Sequence, residues 1–152
     1  MVQLAQVRPH LFFGSAPQGT EDIEVLSRHG ISAVLCLETD EDIAEYDLEW
    51  SLLEHWYAAR GIIARRVPIV DFSPAAIVSR LDEALTALAA LLSDGRTVYV
   101  HCSEGLSRSP TIVIAHLVRV EGLPLAEALE VVSAARPSIQ PYSQALEAIG
   151  QR

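Results

Sequence analysis

The stretch "HCSEGLSRSPT", His101–Thr111, decides how the chain is read. It leaves a short run, "TVYV" (97–100), whose β-branched and aromatic residues predict a strand. It enters "SPTIVIAHLVRV" (109–120), apolar on nearly every side, which predicts a central buried helix. Pro110 suits the first turn of that helix, where a missing N–H costs nothing. Between strand and helix lie Ser103, Glu104, Gly105, Leu106 and Ser107. Backbone N–H groups at a helix start have no partner and point outward. With Gly105 permitting the turn, they can curl into a nest around a tetrahedral dianion. Arg108 adds a fork for two phosphate oxygens. The expected phosphate-binding set is therefore Ser103, Glu104, Gly105, Leu106, Ser107 and Arg108.

Outward from this loop, two periodicities alternate. "HLFFG" (10–14), "ISAVLCL" (31–37) and "IIARRVPIV" (62–70) predict further strands. "QGTEDIEVLSRHG" (18–30) and "EYDLEWSLLEHWYAARG" (45–61) predict helices closed by glycine. A long helix follows "DFSP", with Ile77, Leu81, Ala84, Leu85, Leu88 and Leu92 at helical spacing, and Asp94–Gly95 ends it. "LAEALEVVSAAR" and "YSQALEAIG" predict two closing helices. The expectation is an α/β fold with a mostly parallel sheet of four to five strands, helices on both faces, and one domain over 1–152. Ligands of such sheets bind at the carboxyl ends of strands, where Cys102 lies.

The 152 residues are half apolar and carry a net charge of -9. That balance argues against broad nucleic-acid binding and against adsorption to anionic membranes, which both need a basic face. No run reaches the ~18 apolar residues of a membrane span, and no signal peptide is visible. Two cysteines, Cys36 and Cys102, point to free thiols in a reducing compartment, so a cytoplasmic location is expected. His10, His29, His55 and His116 show no metal-ligand spacing. No metal or cofactor is expected.

The chemistry follows from the loop. The donors that cradle an anion also favour the thiolate of Cys102. A thiolate beneath a bound phosphate can attack phosphorus and form a thiophosphate. The Ser109 hydroxyl can donate to the sulfur as it leaves. The leaving oxygen needs an acid, and Asp71 in "VPIVDFSP" is the best placed, after a strand end on the same sheet edge. Its rivals are Asp40 and Asp42 in "LETDED" (37–42), a run read here as a solvated loop. Arg65 and Arg66 are read as a solvated strand end, and Cys36 as core.

Cysteine, five residues, then arginine, preceded by His101 and followed by Ser-Pro-Thr, resembles the signature of the cysteine-dependent protein tyrosine phosphatase superfamily. The small dual-specificity phosphatase branch is the most similar. "LFFGSAP", "HGISAVLCLE", "VPIVD" and "ARPSIQPYSQAL" resemble segments of that branch across nearly the whole chain. The resemblance implies Cys102 as nucleophile, Arg108 as phosphate clamp, Asp71 as general acid, Ser109 as aid to thiolate release and His101 as loop support. It also raises oxidative pairing of Cys36 with Cys102. The expected substrate is phosphotyrosine in a protein or a small phosphomonoester, with extension to phosphoserine and phosphothreonine. The alternatives are a phosphate-recognising module with little turnover, and a rhodanese-like sulfur-transfer loop that "VPIVD" and Arg108–Ser109 disfavour. Two positions depart from the family: Glu104 replaces its usual alanine and Tyr142 its usual asparagine. Glu104 is expected on the rim, disfavouring highly phosphorylated ligands. Tyr142 is given little weight.

Overall fold

The computed structural model describes residues 1–151. Five strands form one sheet in the order β1-β2-β5-β3-β4: Leu4–Arg8, Leu11–Gly14, Val98–His101, Ala33–Cys36 and Ile63–Arg66. Only β1 runs antiparallel to its neighbour; β2, β5, β3 and β4 pair in parallel. β1 was not foreseen as a separate strand, because the opening residues show no strong β run. Pro68 stops the ladder of β4, although the amides of Val67 and Ile69 still donate to Cys36 and Leu37.

Alternation sorts the strand side chains into two cores. Leu11, Phe13, Leu35, Val98 and Val100 enter one core, covered by α4 (Pro74–Ser93), α5 (Arg108–Arg119), α6 (Leu125–Ala135) and α7 (Ser143–Gly150). Phe12, Val34, Cys36 and Tyr99 enter the other, covered by α1 (Thr20–Arg28) and α3 (Trp50–Ala59). Cys36 and Cys102 are both free and lie in different cores.

Every residue of α5 from Arg108 to Leu117 is buried, as its all-round apolarity predicts. Each large aliphatic side chain so buried contributes roughly 1.5–3 kcal/mol, so α5 is a fixed base for whatever its first turn holds. α3 begins only at Trp50, five residues later than the sequence pattern suggests. The "LETDED" segment is also not a loop. Asp40–Ala44 form the short helix α2. Thr39 caps it, accepting from the Asp42 amide, while Asp42 accepts in return from the Thr39 amide. That reciprocal cap is a sequence signal, Thr-x-x-Asp, that charge density obscured.

Candidate active site

The loop after β5 is held from every side. Gly105 has φ +75, and a Cβ there would collide with the Gly14 backbone and the Arg136 guanidinium, so only glycine fits. Arg136 donates to the carbonyls of Glu104 (3.0 Å) and Gly105 (3.2 Å). The Gln140 amide donates to Leu106 O at 2.6 Å, and the Ser107 hydroxyl to Gln140 O at 2.8 Å. From the other side the Ala16 amide donates to Ser103 O at 2.9 Å. These braces come from distant segments, and none was read from the sequence.

Within the loop, Cys102 is 3% exposed and Ser109 is fully buried. The Ser109 amide donates to Cys102 Sγ at 3.4 Å, and Ser109 Oγ lies 3.3 Å from the same sulfur. In the thiol form the S–H donates to Ser109 Oγ, which donates onward to Gly14 O at 3.3 Å. On ionisation the hydroxyl can turn toward the sulfur. His101 Nδ1 donates to the Cys102 carbonyl at 3.1 Å. Burial pushes His101 down to about 4, so the ring is a neutral strut.

Arg108 is 1% exposed and held by four groups. It donates to Ile69 O at 2.8 Å, Asp42 Oδ2 at 2.7 Å and Ser103 Oγ at 3.2 Å, and its Nη2 lies 3.2 Å from Asp71 Oδ2. Burial opposes its charge, but Asp42, Cys102 and Asp71 together hold its pKa above the ordinary value. Burial likewise opposes the Asp42 charge, and the Arg108 and Thr39 hydrogen bonds overcome it. Asp71 and Asp42, rivals in the sequence, therefore flank the same guanidinium. Asp40 does not join them; it pairs with Arg66 at 2.8 Å. Arg66 also caps the Glu38 carbonyl and lies over Trp50, so it is an anchor rather than a solvated strand end.

Two further residues belong to the site and escaped the sequence reading. The Tyr142 hydroxyl donates to Asp71 Oδ1 at 3.2 Å and accepts from the Phe72 amide at 2.8 Å. Phe72 has φ +57, a strained conformation for an aromatic residue, and Tyr142 helps to hold it there. The small weight given to Tyr142 is thus corrected: it stands at the start of α7 and reaches back to the Asp71–Phe72 turn. The second is Glu38, 2% exposed, whose Oε2 accepts from Ser103 Oγ at 3.0 Å. Burial pushes its carboxyl up to about 7, against the pull of the Ser103 hydroxyl. Cys36, Glu38 and His101 bring ligating atoms within 4.8 Å of one another, a set that could hold a metal ion. His101 Nδ1 is already committed to a carbonyl, and burial pushes the Cys36 thiol far up, so each acts here as a neutral packing group.

A buried cysteine beneath an arginine-closed loop at a strand's carboxyl end, with an aspartate beside the arginine, is a constellation that sequence comparison can test. The family model "Dual specificity phosphatase, catalytic domain" matches residues 11–149. The chain belongs to that family. It is 30% identical to human "Dual specificity phosphatase 28" over 95% of this chain and 80% of that protein. It is 29% identical to "Laforin" of Mus musculus and 29% to "Phosphoglucan phosphatase DSP4, amyloplastic" of Castanea sativa. Those alignments cover 93% and 86% of this chain, but the chain spans only 46% and 35% of the two relatives' lengths. The fold superposes on Tk-PTP in its active form with a TM-score of 0.80, 29% identity, and coverage of 98% and 97% of the two chains. PTPMT1 bound to PI(5)P shares the fold with a TM-score of 0.81 at 20% identity, over 97% of this chain and 92% of that one. Among the described residues, no helix is long and apolar enough to cross a membrane.

Proposed function

We propose that the chain hydrolyses phosphomonoesters, phosphotyrosine first among them, through Cys102. The observation that carries this reading is the placement of Cys102 Sγ against the Ser109 amide and hydroxyl, one loop beneath a guanidinium already shared by two carboxylates. Arg108 exchanges Asp42 and Asp71 for two phosphate oxygens, with loop amides taking the remainder. The Cys102 thiolate then attacks phosphorus. An S–P bond forms, the ester P–O bond breaks, and the leaving oxygen takes the proton of Asp71. In the second step Asp71 takes a proton from water, the water oxygen bonds to phosphorus, and the S–P bond breaks. Ser109 donates to the departing sulfur, and His101 keeps the loop in register. The products are the free alcohol and inorganic phosphate, with no cofactor.

The same site accommodates phosphoserine and phosphothreonine where their shorter stems still reach the sulfur. A free nucleophilic thiol also suits a reducing compartment such as the cytoplasm. Family membership and the complete set of Cys102, Arg108, Asp71 and Ser109 weigh against a module that only binds phosphate. The test is hydrolysis of p-nitrophenyl phosphate in excess chelator by the native chain and Cys102→Ser. Chelator-resistant turnover that disappears in Cys102→Ser is expected. Native turnover that Cys102→Ser retains, or that chelation abolishes, would remove the thiolate from the mechanism.

A further inference from the structure

The mouth above this loop is a depression of about 540 Å³. Five carboxylates line it: Glu41, Asp42, Glu45, Asp71 and Glu104. Among the described residues no basic side chain lines it; the nearest established cation is the buried Arg108, which pairs with two of its lining carboxylates, Asp42 and Asp71. Arg108 is buried, and its Nε has no hydrogen-bond partner among the described residues, so the guanidinium behind Asp42 and Asp71 keeps one unused donor. Glu41, Glu45 and Glu104 are exposed on the rim and have no described ion pair. The negative field converges on Tyr46, whose hydroxyl keeps its proton beyond the ordinary range through burial and through Glu38, Glu45, Glu104 and Asp42. Apolar surface lies beside these charges. Phe72 is 87% exposed and Val70 59% exposed, and Phe72 is held outward by the Tyr142 hydroxyl.

Resting on the phosphatase reading above, we infer that this mouth selects singly phosphorylated tyrosine peptides flanked by lysine or arginine. Each part of such a ligand has a counterpart. One dianion fits the single cation behind the mouth. The aromatic stem can lie against Phe72 and Tyr46. Flanking cations meet Glu41, Glu45 and Glu104. A second phosphate, or an acidic flank, would face only carboxylates and be repelled. A glucan offers no positive charge to five carboxylates, and a phosphoinositide headgroup brings added negative charge, so both leave the rim unused. Exposed ion pairs change affinity by roughly twofold to fivefold each, and two or three acting together give a preference of about tenfold.

The experiment compares kcat/KM of the full chain on three phosphotyrosine peptides identical except for arginine, alanine or glutamate flanks. A phosphorylated maltooligosaccharide, phosphatidylinositol monophosphate and p-nitrophenyl phosphate are run beside them. The arginine peptide is expected to exceed the glutamate peptide by about tenfold at low salt. That ratio should fall toward one at about 0.5 M salt, where the screening length is a few ångströms. It should also fall at least about threefold in Glu41→Gln/Glu45→Gln, whose two charges lie on the exposed rim. Turnover of p-nitrophenyl phosphate with equal rates on the three peptides overturns this inference alone. Faster turnover of the maltooligosaccharide or the phosphoinositide than of the arginine peptide also overturns it. A native chain inert toward p-nitrophenyl phosphate overturns the phosphatase reading, and this inference with it.

Discussion

Cys102, Arg108 and Ser109 are at most 3% exposed, whereas the Asp71 side chain is 26% exposed and Phe72 beside it 87%. The phosphate loop is locked by the Gly14 carbonyl of β2, the Ala16 amide after it, the Arg136 guanidinium and the Gln140 backbone. The acid loop leans on two side chains, Tyr142 and Arg108. On the proposed mechanism, the task of each loop explains the difference. A phosphoryl group has the same shape in every substrate, so its cradle gains by being rigid and prepaid in folding. The acid must meet leaving groups of many shapes, so it sits on a rim that few bonds hold. Breaking the rigid half should therefore cost more than breaking the adjustable half.

The largest effect is expected from Arg108→Lys. An ammonium keeps the charge but cannot serve Ile69 O, Ser103 and two phosphate oxygens from one plane. Loss of one such preorganised donor group costs about 10²–10³-fold in kcat. Steady-state kinetics on p-nitrophenyl phosphate would measure this. A kcat within a factor of about three of native would mean that the fork is not used. Next comes Asp71→Asn, which removes the proton but not the shape. Expected is a loss of about 10²-fold on an alkyl phosphate and less on p-nitrophenyl phosphate, whose leaving oxygen needs little help. Vanadate should bind at least as tightly, because one carboxylate no longer competes for Arg108. Weaker vanadate binding with unchanged kcat would reverse the assignment of Asp71 from acid to binding group.

Tyr142→Phe probes the loose half directly. It deletes one hydrogen bond to Asp71 and leaves the Phe72 amide without that acceptor. Two hydrogen bonds of ordinary strength correspond to about 1–2 kcal/mol, or about fivefold to thirtyfold in rate. The loss should fall on kcat rather than KM, and should shrink when the leaving group needs no acid. A KM effect alone would make Tyr142 a substrate contact instead of a positioning residue.

The same contrast governs what could be read from the sequence. The phosphate loop is contiguous: one strand end, one glycine and one helix start carry Cys102, Gly105, Arg108 and Ser109 in a single short segment, and only its braces from Ala16, Arg136 and Gln140 are remote. The sheet was legible for the same reason, since alternation and glycine stops are local signals. The acid loop is not contiguous. Its brace comes 71 residues later, at Tyr142, and nothing local to "DFSP" points there. Asp42 was hidden differently. A short capped helix inside a run of acids looks like solvated charge until Arg108 is found beside it. Glu38 appeared to be one more acid of that run, and only the fold shows that it is buried.

Glu38 offers the smallest effect and the finest test, because it touches rate only through the loop it supports. Burial raises its carboxyl from an ordinary 4.5 to about 7, and lowers neighbouring His101 from 6.5 to about 4. Between pH 4.5 and 7 the folded chain holds a proton on Glu38 that the unfolded chain has released, so this group's contribution to stability falls as pH rises. Between pH 4 and 6.5 the unfolded chain holds a proton on His101 that the folded chain excludes, so that contribution rises with pH. The slopes of these two groups oppose each other where the windows overlap, while His116, also lowered by burial, adds a rising contribution that both chains share. Glu38→Gln keeps an acceptor for Ser103 and removes only the falling slope. Its urea midpoint should therefore climb with pH more steeply than the native one between pH 4.5 and 6.5. The two stability curves should diverge by about 1.4 kcal/mol per pH unit at most. Parallel curves would mean that the carboxyl is already ionised in the folded chain, and that the rigid half of the site rests on a buried charge rather than a neutral strut.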